Sequence, residues 1–597
     1  MSTTKKNIFI NLLKALASAY ALLCVFNPPL ENTAGLVYYI KESLFEVFNV
    51  NNLLFVLLFA IFSFFYIELS KHKKTIKGSL ILSIFFACCL LLGVFYRYNG
   101  TLILFYGSLS GVIKTILCIS GYAFLFDNLI YLIFLGLDKL KSNTDNKTKF
   151  WKNSVFIKTF AILMIIYLPF IILSYPGNMC YDAEWQIYEM TQNVGFTLHH
   201  PLINSIFMGG IVKIGQLIFG SYNNGTFLYI IVQDLILAAV FSYSLSYLSK
   251  KNINVWVLRF LLIFFAFNPV IANFGTTVLK DMTFTAFTCL FVVFLAKCLI
   301  DDDKDNKKWI WLCIAQILVI WFRNNGLHML LLSDLGIIIF LFLTKKKDLF
   351  KKFLIASGVA IVLAVVISTA AAHVLHAEKG SRGEMLSLPF QQTARYVRYY
   401  GDDLTEWEHM AIVKVLGNPD DLATSYDYGI ADPVKAHFRI ECETKDIVNY
   451  MIAWAKMFPR HPGVYIDAFL VHVYGWFDPA ADNYIRYEFK YGNTIFERSA
   501  ALDTLAQRYT AILIMEYDFA PTALLANMGF WVWGLFLLAL YQKRNVKDKT
   551  YRMLNLPLWI SLLICMAAPA FYMHPRYGFP ILFAVPFLYG VTLCRKE

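Results

Sequence analysis

Apolar runs of about 20 residues recur along the whole chain, and no other feature limits its fold as much. A run of that length crosses the hydrocarbon of a bilayer as an α-helix. Inside hydrocarbon every backbone polar group needs a partner within the structure, so only helices and closed barrels can span it. Such runs occupy residues 8–27, 52–69, 78–95, 113–137, 155–175, 226–247, 253–273, 282–300, 309–325, 327–344, 351–372, 520–541, 553–571 and 577–594. Only 16% of residues are charged, against roughly 25% in soluble domains. The sequence therefore predicts an all-α polytopic membrane protein with about 14 transmembrane helices, with the lipid bilayer of the cell membrane as its first partner. The N-terminal run follows Lys5-Lys6 and has no small-residue cleavage site before Asn27-Pro28-Pro29, so it reads as a retained first helix.

Short basic loops set the orientation, because Lys and Arg collect on the cytoplasmic side. Lys5-Lys6, Lys71–Lys77, Lys139–Lys152, Lys250-Lys251, Lys304–Lys308, Lys345–Lys352, Lys543–Lys549 and Arg595-Lys596 all fall on that side if 202–219 does not cross. That segment follows Pro201, contains Gly209-Gly210, and carries Lys213 and Gln216. It is expected to lie on the membrane surface as an amphipathic helix. Both termini are then cytoplasmic. The loops with unusual polar residues share the extracytoplasmic face: a first outer loop at 176–225, then 273–281, 323–326 and 574–577. The net charge of +12 is thus orienting charge and not the footprint of a nucleic acid.

Between 373 and 515 charge rises and the apolar runs shorten, which marks a mainly helical outer domain with helical patterns at 404–416, 444–458 and 463–477. Gln391, Gln392 and Arg395 stand at helical spacing near its start, as a polar clamp or as a solvated face. Most cysteines lie within apolar runs as small hydrophobes. Cys180 and Cys442 fall in outer loops, where a disulfide between them is open.

Asp182 is the first candidate for chemistry. It follows the span 155–175 closely enough to be partly desolvated, which would raise its basicity. The plain alternative is a helix cap, since Asp-Ala-Glu-Trp reads as a helix start. Glu184, two residues on, points elsewhere on a helix. His199 and His200 are adjacent, so their side chains diverge on a helix and a two-histidine metal site is not expected. One of them is expected to reach a phosphate or a substrate hydroxyl, or to pack at the interface. Lys280-Asp281 opens a span. Arg323-Asn324-Asn325-Gly326 and His574-Pro575-Arg576-Tyr577 place arginines on the face where positive charge is disfavoured. Lys280, Arg323 and Arg576 together call for an anion such as a phosphate.

These residues resemble the integral-membrane glycosyltransferases of the GT-C fold, which take sugar from a polyprenyl-phosphate donor. The likeness rests on Asp182 after the first core span, on a proline-led helix from His200-Pro201-Leu202 to Phe219-Gly220, and on Arg576-Tyr577 at a late span edge. It covers roughly 155–597 and is nearest to an uncharacterised bacterial membrane family. It implies a GT-C-like core at 151–372, extra transmembrane helices at 1–150, the outer domain at 373–515 and C-terminal transmembrane helices at 516–597. It also implies an inverting transfer from a polyprenyl-phosphate-linked sugar to an extracytoplasmic glycan acceptor, a cell-surface glycan or teichoic acid. Asp182 would be the general base, with Asp281 placing donor, acceptor or a divalent cation (Mg or Mn). Lys280, Arg323, Arg576 and His574 would hold the phosphate, with Tyr577, His199, His200, Glu184, Asn324, Asn325, Gln391, Gln392 and Arg395 as further substrate contacts. A glycan ligase or polymerase with a diphosphate-linked donor shares these ingredients. A lipid-linked-glycan transporter is the other alternative, although transporters favour charge near the midplane.

Overall fold

The computed structural model describes residues 3–28, 36–49, 52–142, 149–302, 305–481, 495–496, 499–567 and 575–594. It is 81% helical. Among the described residues eleven helices are long and apolar enough to cross a membrane. The count is twelve if Ala520–Ala526 and Met528–Asn545, bent by 68°, form one span. The protein is an all-α polytopic membrane protein. The lower count has a local cause. The helices Asn7–Leu23 and Val255–Phe267 are short for a crossing, and Lys307–Phe322 has 16 residues. The run 253–273 breaks because Pro269 disfavours an α conformation at Asn268. The helix ends at Phe267, Asn268 is extended, and a π-turn follows at Ile271–Gly275. Leu202–Phe219, expected to lie on the membrane surface, is an unbroken helix of 18 residues and is one of the eleven long and apolar enough to cross.

The chain divides into two compact units. One comprises 1–138, 383–481 and 568–573. In it, the helices Ser387–Tyr400, Glu406–Leu416, Thr444–Met457 and Pro462–Val473 enclose a core of Phe390, Tyr396, Ile412, Val415, Tyr450 and Tyr465. The helix Ser79–Asn99 joins this core through Tyr96, which donates to Asp467 at 3.0 Å, and through Arg97, paired with Asp478 at 3.1 Å. Gly93 is required there, because a Cβ would run into the Asp478 carboxylate. Arg395 donates to the Gly100 carbonyl and the Tyr426 hydroxyl and pairs with Asp467. Gln391 donates to the carbonyls of Asp427 and Ile430, and Gln392 to that of Tyr465. These three residues are a clamp internal to the fold, not a solvated face. Their donors are spent on backbone carbonyls, the Tyr426 hydroxyl and Asp467.

The second unit comprises 139–382, 482–567 and 574–597. Lys280–Ile300 and the segment Arg576–Leu593 are its innermost spans, with 83% and 89% of each buried inside the protein. Both are apolar on all sides, as expected of helices with no lipid-facing stripe. Beside them, Asn178–Met179 pairs in parallel with Thr277–Val278. Buried Gln233, in the helix Tyr222–Ser249, holds this arrangement by donating to the carbonyls of Gly275 and Thr277 at 2.8 and 2.9 Å.

Candidate active site

Five helices of this second unit start at one cluster of side chains. Tyr181–Thr191 carries Asp182 in its first turn. His200 stands just before Leu202–Phe219. Lys280 and Asp281 open Lys280–Ile300. Arg323 is the N-cap residue of Asn324–Leu343. Arg576 lies in the 3₁₀ turn Pro575–Gly578 that leads into Phe579–Leu593. Helix starts present free N–H groups and the positive end of the dipole, so they favour an anion even before the side chains are counted.

The contacts fix the pairings. Lys280 Nζ donates to Asp182 Oδ2 at 3.2 Å, and Arg576 Nη1 lies 3.5 Å from the same oxygen. Asp182 is therefore not a helix cap; the N-cap is Cys180, with no side-chain capping bond. Lys280 also donates to His200 Nδ1 at 3.0 Å. An ammonium only donates, so Nδ1 is the acceptor and neutral His200 carries its proton on Nε2. Behind this trio, Arg323 pairs with Asp281. Tyr577 joins the two groups. Arg323 lies over its ring at 4.3 Å from the centroid, and Arg576 Nη2 donates to its hydroxyl at 3.1 Å. Arg576 also donates to Cys180 Sγ at 3.4 Å. Cys180 and Cys442 are both free thiols.

Exposure separates the two carboxylates. The Asp182 side chain is 14% exposed and that of Asp281 is 0% exposed. Asp182 can meet a substrate, whereas Asp281 has no surface open to one and serves to hold Arg323. Glu184 is buried and accepts from the Tyr188 hydroxyl, away from the cluster as its spacing predicts. His199 is exposed, and its carbonyl accepts from Asn324 Nδ2 at 3.1 Å. Asn325 lines a recess beside Arg323 and Tyr577. His574 lies outside the described residues. Gln391, Gln392 and Arg395 belong to the other compact unit.

The cluster has three cationic and two anionic side chains, a surplus of one positive charge. The buried Arg576 Nε has no hydrogen-bond partner. Both carboxylates face cations, and among the described residues no three His, Cys, Asp or Glu side chains converge. These residues do not fit a divalent cation.

Burial alone would push the Asp182 carboxyl up, as its position in the sequence predicts. The charges of Lys280 and Arg576 outweigh burial and hold it well below the usual carboxylate range. Burial, then the Lys280 ammonium, pushes the His200 imidazole down to about 3. Both folded-state values are depressed, so the stability these groups contribute is complete above their unfolded values and is lost as pH falls. For His200 that window runs from 6.5 down to about 3. His200→Gln is expected to flatten the loss of thermal stability between pH 6.5 and about 4. Parallel melting curves in detergent check this, and identical acid limbs would contradict it.

Gln233 and Cys180 were not read as site residues from sequence. The signal for Gln233 was its position beside Asp234 in the middle of an apolar run. A family model described as a family of unknown function, DUF6020, matches residues 190–597, well over half of the chain. The chain belongs to DUF6020. The DUF6020 match takes in His199, His200, Lys280, Asp281, Arg323, Arg576 and Tyr577, and begins beyond Asp182. No curated protein and no solved structure matches the chain.

Proposed function

We propose that the protein is a membrane glycosyltransferase of the GT-C kind. It moves a sugar from a polyprenyl-phosphate donor to a glycan acceptor on the extracytoplasmic face. The observation that carries this reading is the shared oxygen. Lys280 and Arg576 both face Oδ2 of a partly exposed Asp182.

In the reaction, Asp182 Oδ1 takes the proton of the acceptor hydroxyl as its oxygen attacks the anomeric carbon. The bond from that carbon to the phosphate oxygen breaks, and the polyprenyl phosphate leaves with the electron pair. Configuration inverts. Lys280 and Arg576 meet the charge that grows on the leaving phosphate, in a pocket where fixed cations act through a low dielectric. Before the donor arrives, the same two cations are turned on Asp182 and suppress its basicity. A phosphate draws them away and releases the base, so proton abstraction is tied to occupancy of the donor site. Arg323, held by Asp281, supports Tyr577 and through it Arg576.

Mass spectrometry of lipid co-purified with the Asp182→Asn protein tests the reading. A polyprenyl phosphate bearing one sugar is the expected result. A diphosphate bearing an oligosaccharide would move the assignment to a ligase or polymerase. Ordinary phospholipid alone, with unchanged surface glycans in cells carrying the variant, would overturn it.

A further inference from the structure

Away from the cluster, the second unit holds a buried carboxyl group that no cation answers. Asp334 stands at the middle of Asn324–Leu343, a span of 20 residues, and is 2% exposed. Gln316 of Lys307–Phe322 and Ser357 of Lys347–Val374 meet there from the two neighbouring helices, and both are buried. Gln316 Nε2 donates to Asp334 Oδ2 at 2.7 Å and to Ser357 Oγ at 3.1 Å, which uses both amide protons. Asp334 Oδ1 and Gln316 Oε1 are buried without a partner. Among the described residues no charged side chain acts on Asp334.

We propose that Asp334 is a proton-binding site at membrane depth, with the proton on Oδ1 and shared with Gln316 Oε1. An ionised carboxylate at the middle of a span is costly, and a buried acid avoids that cost by taking up a proton. One proton also accounts for both orphan oxygens, because Oδ1 becomes a donor and Oε1 its acceptor. Carboxyl and carboxamide then close a ring with a hydrogen bond on each side, of which the 2.7 Å contact is one. A metal cation fits less well, since the amide turns its N–H groups toward the carboxylate and Ser357. The ring also acts on the cluster. Arg323 ends Lys307–Phe322 and is the N-cap residue of Asn324–Leu343. Near that corner the two helices touch, as a Cβ on Gly326 would run into the Val319 carbonyl. Further along, Gln316 and Asp334 tie the same two helices together. Loss of the proton sets a carboxylate against Gln316 Oε1 and loosens the hairpin that carries Arg323.

Treating the full-length protein in nanodiscs at neutral pH with dicyclohexylcarbodiimide, which attacks protonated carboxyl groups in apolar surroundings, tests the site without any variant. Mass spectrometry should find the adduct on Asp334 and not on Asp281, whose carboxylate is paired with Arg323. Infrared spectra give a second readout: Asp334→Asn should lose the carbonyl band of one protonated acid. Asn offers an N–H where the acid has its O–H, so this variant should keep the melting temperature of the parent. Gln316→Leu, which removes both bonds of the ring, should lower it. Absence of an adduct on Asp334, or loss of an ionised carboxylate band in place of the acid band, would overturn the proposal. An adduct suppressed by sodium chloride but not by choline chloride would overturn it too, because the occupant would then be a metal cation. Each readout is independent of sugar transfer.

Discussion

Asp182→Asn is expected to cut sugar transfer by about 100-fold or more, the usual contribution of a positioned general base, or roughly 2.7 kcal/mol in the barrier. The expected pattern across kinetic constants is more specific than the loss itself. Asn keeps the shape of Asp and still offers an oxygen to Lys280. It lacks the negative charge that occupies Lys280 and Arg576 in the empty site. Those cations then meet the donor phosphate without a competitor. The turnover number should collapse while the KM for the donor stays level or falls. Steady-state kinetics with a polyprenyl-phosphate sugar would check this. A turnover number within about threefold of the parent protein would remove Asp182 from the reaction.

The largest effect on stability is expected at Asp281. Its carboxylate is fully buried against Arg323. Truncation to Ala leaves that guanidinium buried beside two other cations of the cluster. Breaking a buried pair by removing one partner costs roughly 3–5 kcal/mol, because the remaining charge is uncompensated. The paired replacement Asp281→Leu with Arg323→Met should recover most of that loss, since exchanging a whole buried pair for apolar groups is often close to neutral. A double-mutant cycle of unfolding in detergent measures both. A cost for Asp281→Ala of less than about 1 kcal/mol would mean that the pair does not hold the site together.

The fold class was legible in the sequence because hydrocarbon leaves the backbone so few options. A run such as 282–300 has to be a helix wherever its neighbours lie. Lys280, Arg323 and Arg576 were legible for a related reason, since the orientation expected from the basic loops puts them at span ends where cations are disfavoured. What sequence could not give was pairing. Asp182 reads equally well as a cap or as a reactive group until its partner is known, and Lys280 is 98 residues away. The expected rise in its basicity failed for the same reason: burial was foreseeable, but the two cations that overcome it were not. Gln391, Gln392 and Arg395 illustrate a second limit. Helical spacing puts them on one face, but only tertiary contacts show that this face meets the carbonyls of Asp427, Ile430 and Tyr465. Asn268-Pro269 marks a break that local sequence did announce, although the run around it looks continuous in hydropathy.

The five helix starts that meet at the cluster also impose an order on its assembly. A chain leaves the ribosome from its N-terminus, so Asp182, His200, Lys280 and Arg323 enter the membrane well before Arg576 and Tyr577. Until that late segment docks, Lys280 is the only strong counter-charge on Asp182, and Arg323 has no tyrosine ring beneath it. The charged centre is therefore neutral through most of biogenesis, with two cations against two carboxylates, and gains its surplus positive charge only when one of the last spans inserts. A copy in which Arg576 and Tyr577 fail to dock keeps both carboxylates paired, by Lys280 and by Arg323, but lacks the positive charge that an anion would meet.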